Sequence, residues 1–122
     1  MMITYRATLE FDKDLKRLLK RFRSLEEDLE VVKKNAIEVY HHLKLDNQST
    51  FLITQFCKEN VQVCKVKKFA CKALKGRGVK SGMRLIYAYW PGDNVVDLVE
   101  IYFKGDKENE DRARIEGFLK GN

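Results

Sequence analysis

A chain of 122 residues, 44% hydrophobic and 34% charged, is long enough for one core and is neither a disordered segment nor a membrane span, because its apolar runs last only a few residues. Its net charge of +6 is held unevenly: residues 61–92 carry eight Lys or Arg and no acid, while the segments on either side mix both signs. Three cysteines (Cys57, Cys64, Cys71) with no CxxC pair argue against a disulfide framework and against a zinc site.

The cysteines are read as small apolar residues in a reducing compartment. His41 and His42 are neighbours on a predicted helix and diverge by about 100°, so they cannot jointly hold a metal. No metal or other cofactor is expected. The opening residues, MMITYRATLEFDKD, lack the apolar stretch of a secretory signal, which predicts a cytoplasmic address.

Residues 3–11 alternate and carry β-branched and aromatic side chains, so they read as a strand. The period then changes. Phe11, Leu15, Leu18, Leu19 and Phe22 recur at helical spacing, with Asp12 as the expected N-cap and a basic outer face. Ser24-Leu25-Glu26-Glu27 has the form of a capping box that opens a second helix, expected to run to about Leu45. Residues 46–60 hold either a short strand or an ordered loop. A strand is expected over 61–74, with a bulge at Lys68 where the apolar alternation slips. GRGVKSG is a loop; it lacks the GK[ST] ending and the following helix of a phosphate loop. Met83–Trp90 is apolar enough for a central strand, Pro91-Gly92-Asp93-Asn94 is a hairpin turn, and Val95–Phe103 returns. A closing helix over 109–119 has its acids early and Lys120 late, as the helix dipole favours. The expected domain is single, 1–122, in the α+β class: a helical hairpin packed on an antiparallel sheet in the order β-α-α-β-β-β-α.

The basic run has two readings. Lysines on an edge strand deter aggregation, which suits Lys72 or Lys75. Arg84 fits that poorly, lying between Met83 and Leu85 at the start of the most apolar strand. The residues alone leave nucleic-acid binding and a solvated face equally open.

The stretches CKVKK, SGMRLIYAY and EIYFKGDK, on this order of elements, resemble the RelE/ParE superfamily of toxin–antitoxin toxins over nearly the whole chain. In RelE-type members lysines of one strand, an arginine of the next and a basic residue after a glycine form the active site. The resemblance places Lys65 and Lys67, Arg84 and Lys107 in those positions. It implies a ribosome-dependent mRNA endonuclease neutralised by a cognate antitoxin, with ParE-like inhibition of DNA gyrase, or a degenerate non-toxic member, as the alternatives. Lys68, Lys72, Arg77, Lys80, Tyr102 and Lys104 are the candidate RNA contacts. RelE-type toxins commonly carry an aromatic residue in the C-terminal segment. Here ENEDRARIEGFLKGN has neither Tyr nor His, and Tyr102 is the aromatic offered in its place.

Histidine and metal are dispensable for such chemistry. Cleavage by the RNA's own 2′-hydroxyl needs a base, an acid for the leaving 5′-oxygen, and stabilisation of charge on the phosphoryl group. The Arg84 fork suits the last task. Crowding by like charges is expected to lower the pKa of Lys65 or Lys67 towards that of a base, leaving Lys107 as acid or clamp.

Overall fold

The computed structural model describes residues 2–46, 48–74 and 81–121. The chain forms β1 (Thr4–Ala7), α1 (Leu9–Leu19), and α2 (Leu25–Val32), which continues through a π-helical stretch (Lys33–Glu38) into α3 (Val39–His42). Next come β2 (Thr50–Leu52), a short 3-10 turn (Thr54–Phe56), β3 (Gln62–Val66), β4 (Met83–Trp90), β5 (Val95–Phe103) and α4 (Arg112–Lys120). Arg77 and Lys80 lie outside the described residues. Among those described, no helix is long and apolar enough to cross a membrane.

The expected α+β class and helical hairpin are present, and the sheet has five strands in the order β1-β5-β4-β3-β2. It is mixed rather than wholly antiparallel: β1 runs parallel to β5, with Thr4 opposite Val95 and Ala7 opposite Leu98. Alternation in the sequence marks a strand but not its direction. The chain between these parallel neighbours runs through the helical hairpin and then β2, β3 and β4, well beyond the dozen residues such a connection needs. The remaining pairs, β2–β3, β3–β4 and β4–β5, are antiparallel.

Several local expectations are corrected. The first helix starts earlier than Asp12, at a Thr8 N-cap whose hydroxyl accepts from the Phe11 amide at 3.1 Å. The capping box does not form. The Ser24 hydroxyl donates to Asp28 at 2.6 Å and accepts from the Ala73 amide at 3.0 Å, so it ties a distant segment to α2 instead. Asp28 also takes the Lys72 amide at 3.1 Å. Consequently the strand expected over 61–74 stops at Val66, and residues beyond it cross to the helical side, where Phe69 and Cys71 are buried. The bulge lies not at Lys68 but on β5: Ile86 faces Glu100 while Tyr87 faces Leu98, leaving Val99 as the extra residue.

Alternating side chains divide the core between two faces. Leu85 and Tyr87 of β4, with Cys64 and Val66 of β3, pack under Phe11, Leu18, Leu25, Leu29 and Ile37 of the helices. Val63, Ile86, Ala88, Val99 and Tyr102 face the other way, under Ile115 of α4. Burial raises the Cys64 thiol to about 12, so it stays protonated. Two polar devices join the layers. Asp14 of α1, only 3% exposed, accepts from Arg114 of α4 at 2.6 and 3.2 Å and from the Ile101 amide. His41 bonds Tyr87 Oη at 2.8 Å and stacks on Tyr89 at 4.0 Å.

Candidate nucleic-acid interface

The face under α4 gathers most of the residues singled out from the sequence. Lys65 lies opposite Ile86, and Arg84 opposite Tyr102, so Lys65, Lys67, Arg84 and Tyr102 project from the same side of adjoining strands. Lys107 reaches this face from the turn after β5. Gly105 makes that turn possible, because a Cβ there would lie 2.4 Å from the Phe103 ring. The Lys107 and Lys65 ammonium groups lie 5.2 and 5.8 Å from the Tyr102 ring centroid. Tyr102 is only 4% exposed.

Two lysines of this face are already neutralised. Lys65 donates to Glu110 at 2.8 Å, with both side chains largely covered. Lys107 is ion-paired to the buried Glu100, whose other oxygen accepts the Asp111 amide at 2.9 Å. The expectation that crowding depresses the Lys65 pKa is therefore reversed. Burial does work against the charge, but the hydrogen bond to Glu110 and the neighbouring Tyr102 outweigh it, and the Lys65 pKa is raised. Burial likewise pushes the Glu110 carboxyl up, and is overcome by Lys65, a backbone bond and Arg112, which hold it below its usual range. Lys65 is a cation here, and Glu110 a carboxylate.

Arg84 and Lys67 differ from them. Arg84 donates from one guanidinium nitrogen to the carbonyls of Lys67 and Met83 at 2.9 and 3.2 Å. Among the described residues no carboxylate pairs with either side chain. Lys67 also lines a groove of about 300 Å³, with Phe51, Lys65, Glu110 and Arg112.

The other candidates are scattered. Lys68 and Lys104 are exposed beyond the ends of β3 and β5. Lys72 sits against α2, pairing with Glu27 at 3.4 Å, away from the α4 face. Sequence reasoning missed Glu100 and Glu110. Their signal was a carboxylate within the apolar run of β5 and a cluster of acids just before the closing helix, read only as favouring the helix dipole.

A helical hairpin on one face of a five-stranded sheet, with a basic second face under a terminal helix, is the RelE-like fold. A chain of the archaeal RelE–RelB complex from Pyrococcus horikoshii OT3 has a TM-score of 0.52 and 11% identity, over 86% of this chain and 98% of its own. A metal-bound toxin from Helicobacter pylori has a TM-score of 0.51 and 20% identity, over 87% of this chain and 99% of its own. No protein-family model matches the sequence, and neither does any curated protein.

Proposed function

We propose that this protein is the toxin of a toxin–antitoxin pair and a metal-independent mRNA endonuclease that acts at the ribosome. The observation that carries the reading is the pair of uncommitted cations, Arg84 and Lys67, on a sheet face that also holds Lys65 and Lys107. The RNA 2′-oxygen attacks the adjacent phosphorus and expels the 5′-oxygen, leaving a cyclic phosphate. Arg84 binds two phosphoryl oxygens as charge builds on them, and Lys67 supplies a second positive contact. Lys65 and Lys107, held as ammonium groups by their carboxylates, are the proton donors for the leaving oxygen. Glu110 is the carboxylate that lines the groove and can accept the 2′-hydroxyl proton. The antitoxin is a segment that brings acids to this face and folds on it.

The experiment is induced expression with growth followed and mRNA ends mapped by primer extension. Growth arrest with cleavage is expected, and Arg84→Ala should lower the cleavage rate about 10²–10³-fold, as loss of a transition-state donor does. Arrest without cleavage, indifferent to Arg84→Ala, would replace this reading with gyrase inhibition. A native-host preparation with no co-purifying small protein would remove the antitoxin.

A further inference from the structure

Among the described residues, one Phe, Tyr or Trp ring is exposed, and it stands in the basic groove. Phe51 of β2 lies opposite Lys65 of β3, so it shares the face of Lys65, Lys67 and Arg84. It is 43% exposed, the only aromatic among the exposed large apolar side chains. The Lys67 ammonium sits 4.9 Å from its ring centroid, within cation–π range. Arg112 closes the groove on the α4 side, held by Gln55 at 2.6 Å.

The other rings of this face cannot offer a surface. Tyr102, the aromatic expected from the sequence to stack on RNA, is covered to within 4%. Trp90, at the far end of β4, is engaged by Asp97 and Phe118. A groove with one open ring, and three cations of which the one carboxylate, Glu110, balances only part, suits a ligand that is flat and apolar on one part and anionic on the next. An apolar helix would bury the Lys67 ammonium with no carboxylate among the described residues to balance it, at high cost. A nucleotide meets both demands, since every base has a stacking face and every linkage a phosphate.

We propose that Phe51 is a nucleobase subsite for single-stranded RNA, with the base stacked on the ring and its phosphate on Lys67 and Arg112. β3 separates β2 from β4, so Phe51 stands roughly 10 Å across the sheet from Arg84. The base it holds is a neighbour of the scissile phosphate rather than the one attacked. The inference rests on the RNA-cleaving reading and adds the residue that sets the strand's register.

The test is binding of a labelled 2′-O-methylated oligoadenylate, which cannot be cleaved, to the full chain by fluorescence anisotropy. Phe51→Ala should weaken binding about 5- to 100-fold, the usual loss for one stacked base, with the salt dependence unchanged. Phe51→Trp should keep the affinity, and RNA should quench the emission of this variant beyond the quenching of Trp90 in the parent. Circular dichroism checks the fold, which a side chain this exposed does not hold together. Parent-like binding by Phe51→Ala, or quenching in Phe51→Trp no greater than in the parent, overturns the subsite. If the parent still cleaves RNA through Arg84 in that case, only the subsite falls. If Phe51→Ala keeps its RNA affinity but loses an acidic peptide partner, the ring is a protein-docking contact and the inference is wrong. A parent that neither binds nor cleaves RNA removes both readings.

Discussion

The two faces of the sheet solve opposite problems. On the hairpin face the buried polar groups Asp14 and His41 are both engaged: Asp14 is gripped by Arg114 and the Ile101 amide, and His41 is held between Tyr87 and Tyr89. On the α4 face the charges are many and only half committed. Lys65 and Lys107 have carboxylate partners, whereas Arg84 and Lys67 have none among the described residues. The comparison teaches that the net charge of a basic run says little about its free charge, because acids far along the chain decide which cations remain available.

The link between the faces is where the contrast breaks most readily. Asp14→Ala leaves the Arg114 guanidinium, only 20% exposed, without its carboxylate and orphans the Ile101 amide. A loss of about 3–5 kcal/mol is expected, as for other buried pairs deprived of one partner. Denaturant unfolding measures it. Hydrogen exchange should show α4 loosened before β4 and β5, and uniform loosening would contradict the role of this pair.

His41 sharpens the description of the hairpin face as a place for neutral groups. Burial, and the adjacent His42, lower its pKa to about 4 from the ordinary 6.5. Cys64, Tyr40, Tyr87 and Tyr89 surround it and offer no carboxylate. The folded pKa is depressed, so between pH 6.5 and 4 the unfolded chain holds the extra proton. Stability is therefore present above about 6.5 and lost as pH falls to about 4, by roughly 3 kcal/mol. His41→Gln should flatten the melting temperature over that interval relative to the parent, and an unchanged pH slope would count against it.

The smallest effect separates the committed lysines from the free one. RNA affinity should fall with salt, and Lys67→Ala should reduce the magnitude of the log–log slope by about 0.7, the value for one phosphate contact on a single strand. Lys65→Ala should change it less, because Glu110 already balances that charge. Equal changes for both would dissolve the distinction between the lysines.

Much of this architecture was legible. Met83–Trp90 and Val95–Phe103 are rich in apolar and aromatic residues around a Pro-Gly-Asp-Asn turn, and both strands form with those bounds. Periodicity also placed the helical hairpin. The parallel setting of β1 was not legible, since it depends on the path between strands rather than on either strand. The Val99 bulge was hidden because Val99 and Glu100 both fit an alternating pattern locally. Ser24 misled for another reason: its hydroxyl is claimed by Asp28 and Ala73, contacts made only once the chain is folded. The same holds for the site. Lys65, Lys67, Arg84 and Lys107 stood out by type and position, but their charge balance is set by Glu110 and Glu100, 45 and 7 residues away. Phe51 lay in the segment read as either a strand or a loop, where nothing marked it as exposed.

The central claim is that the α4 face cleaves RNA through uncommitted cations, and Arg84 tests it most directly. The measurement is primer-extension mapping of mRNA ends after induction of the parent, Arg84→Ala and Arg84→Lys at matched protein level, with circular dichroism of each. Cleavage in the parent should fall about 10²–10³-fold in Arg84→Ala and recover only partly in Arg84→Lys, with all three proteins equally folded. Equal cleavage by the parent and a folded Arg84→Ala would contradict the account.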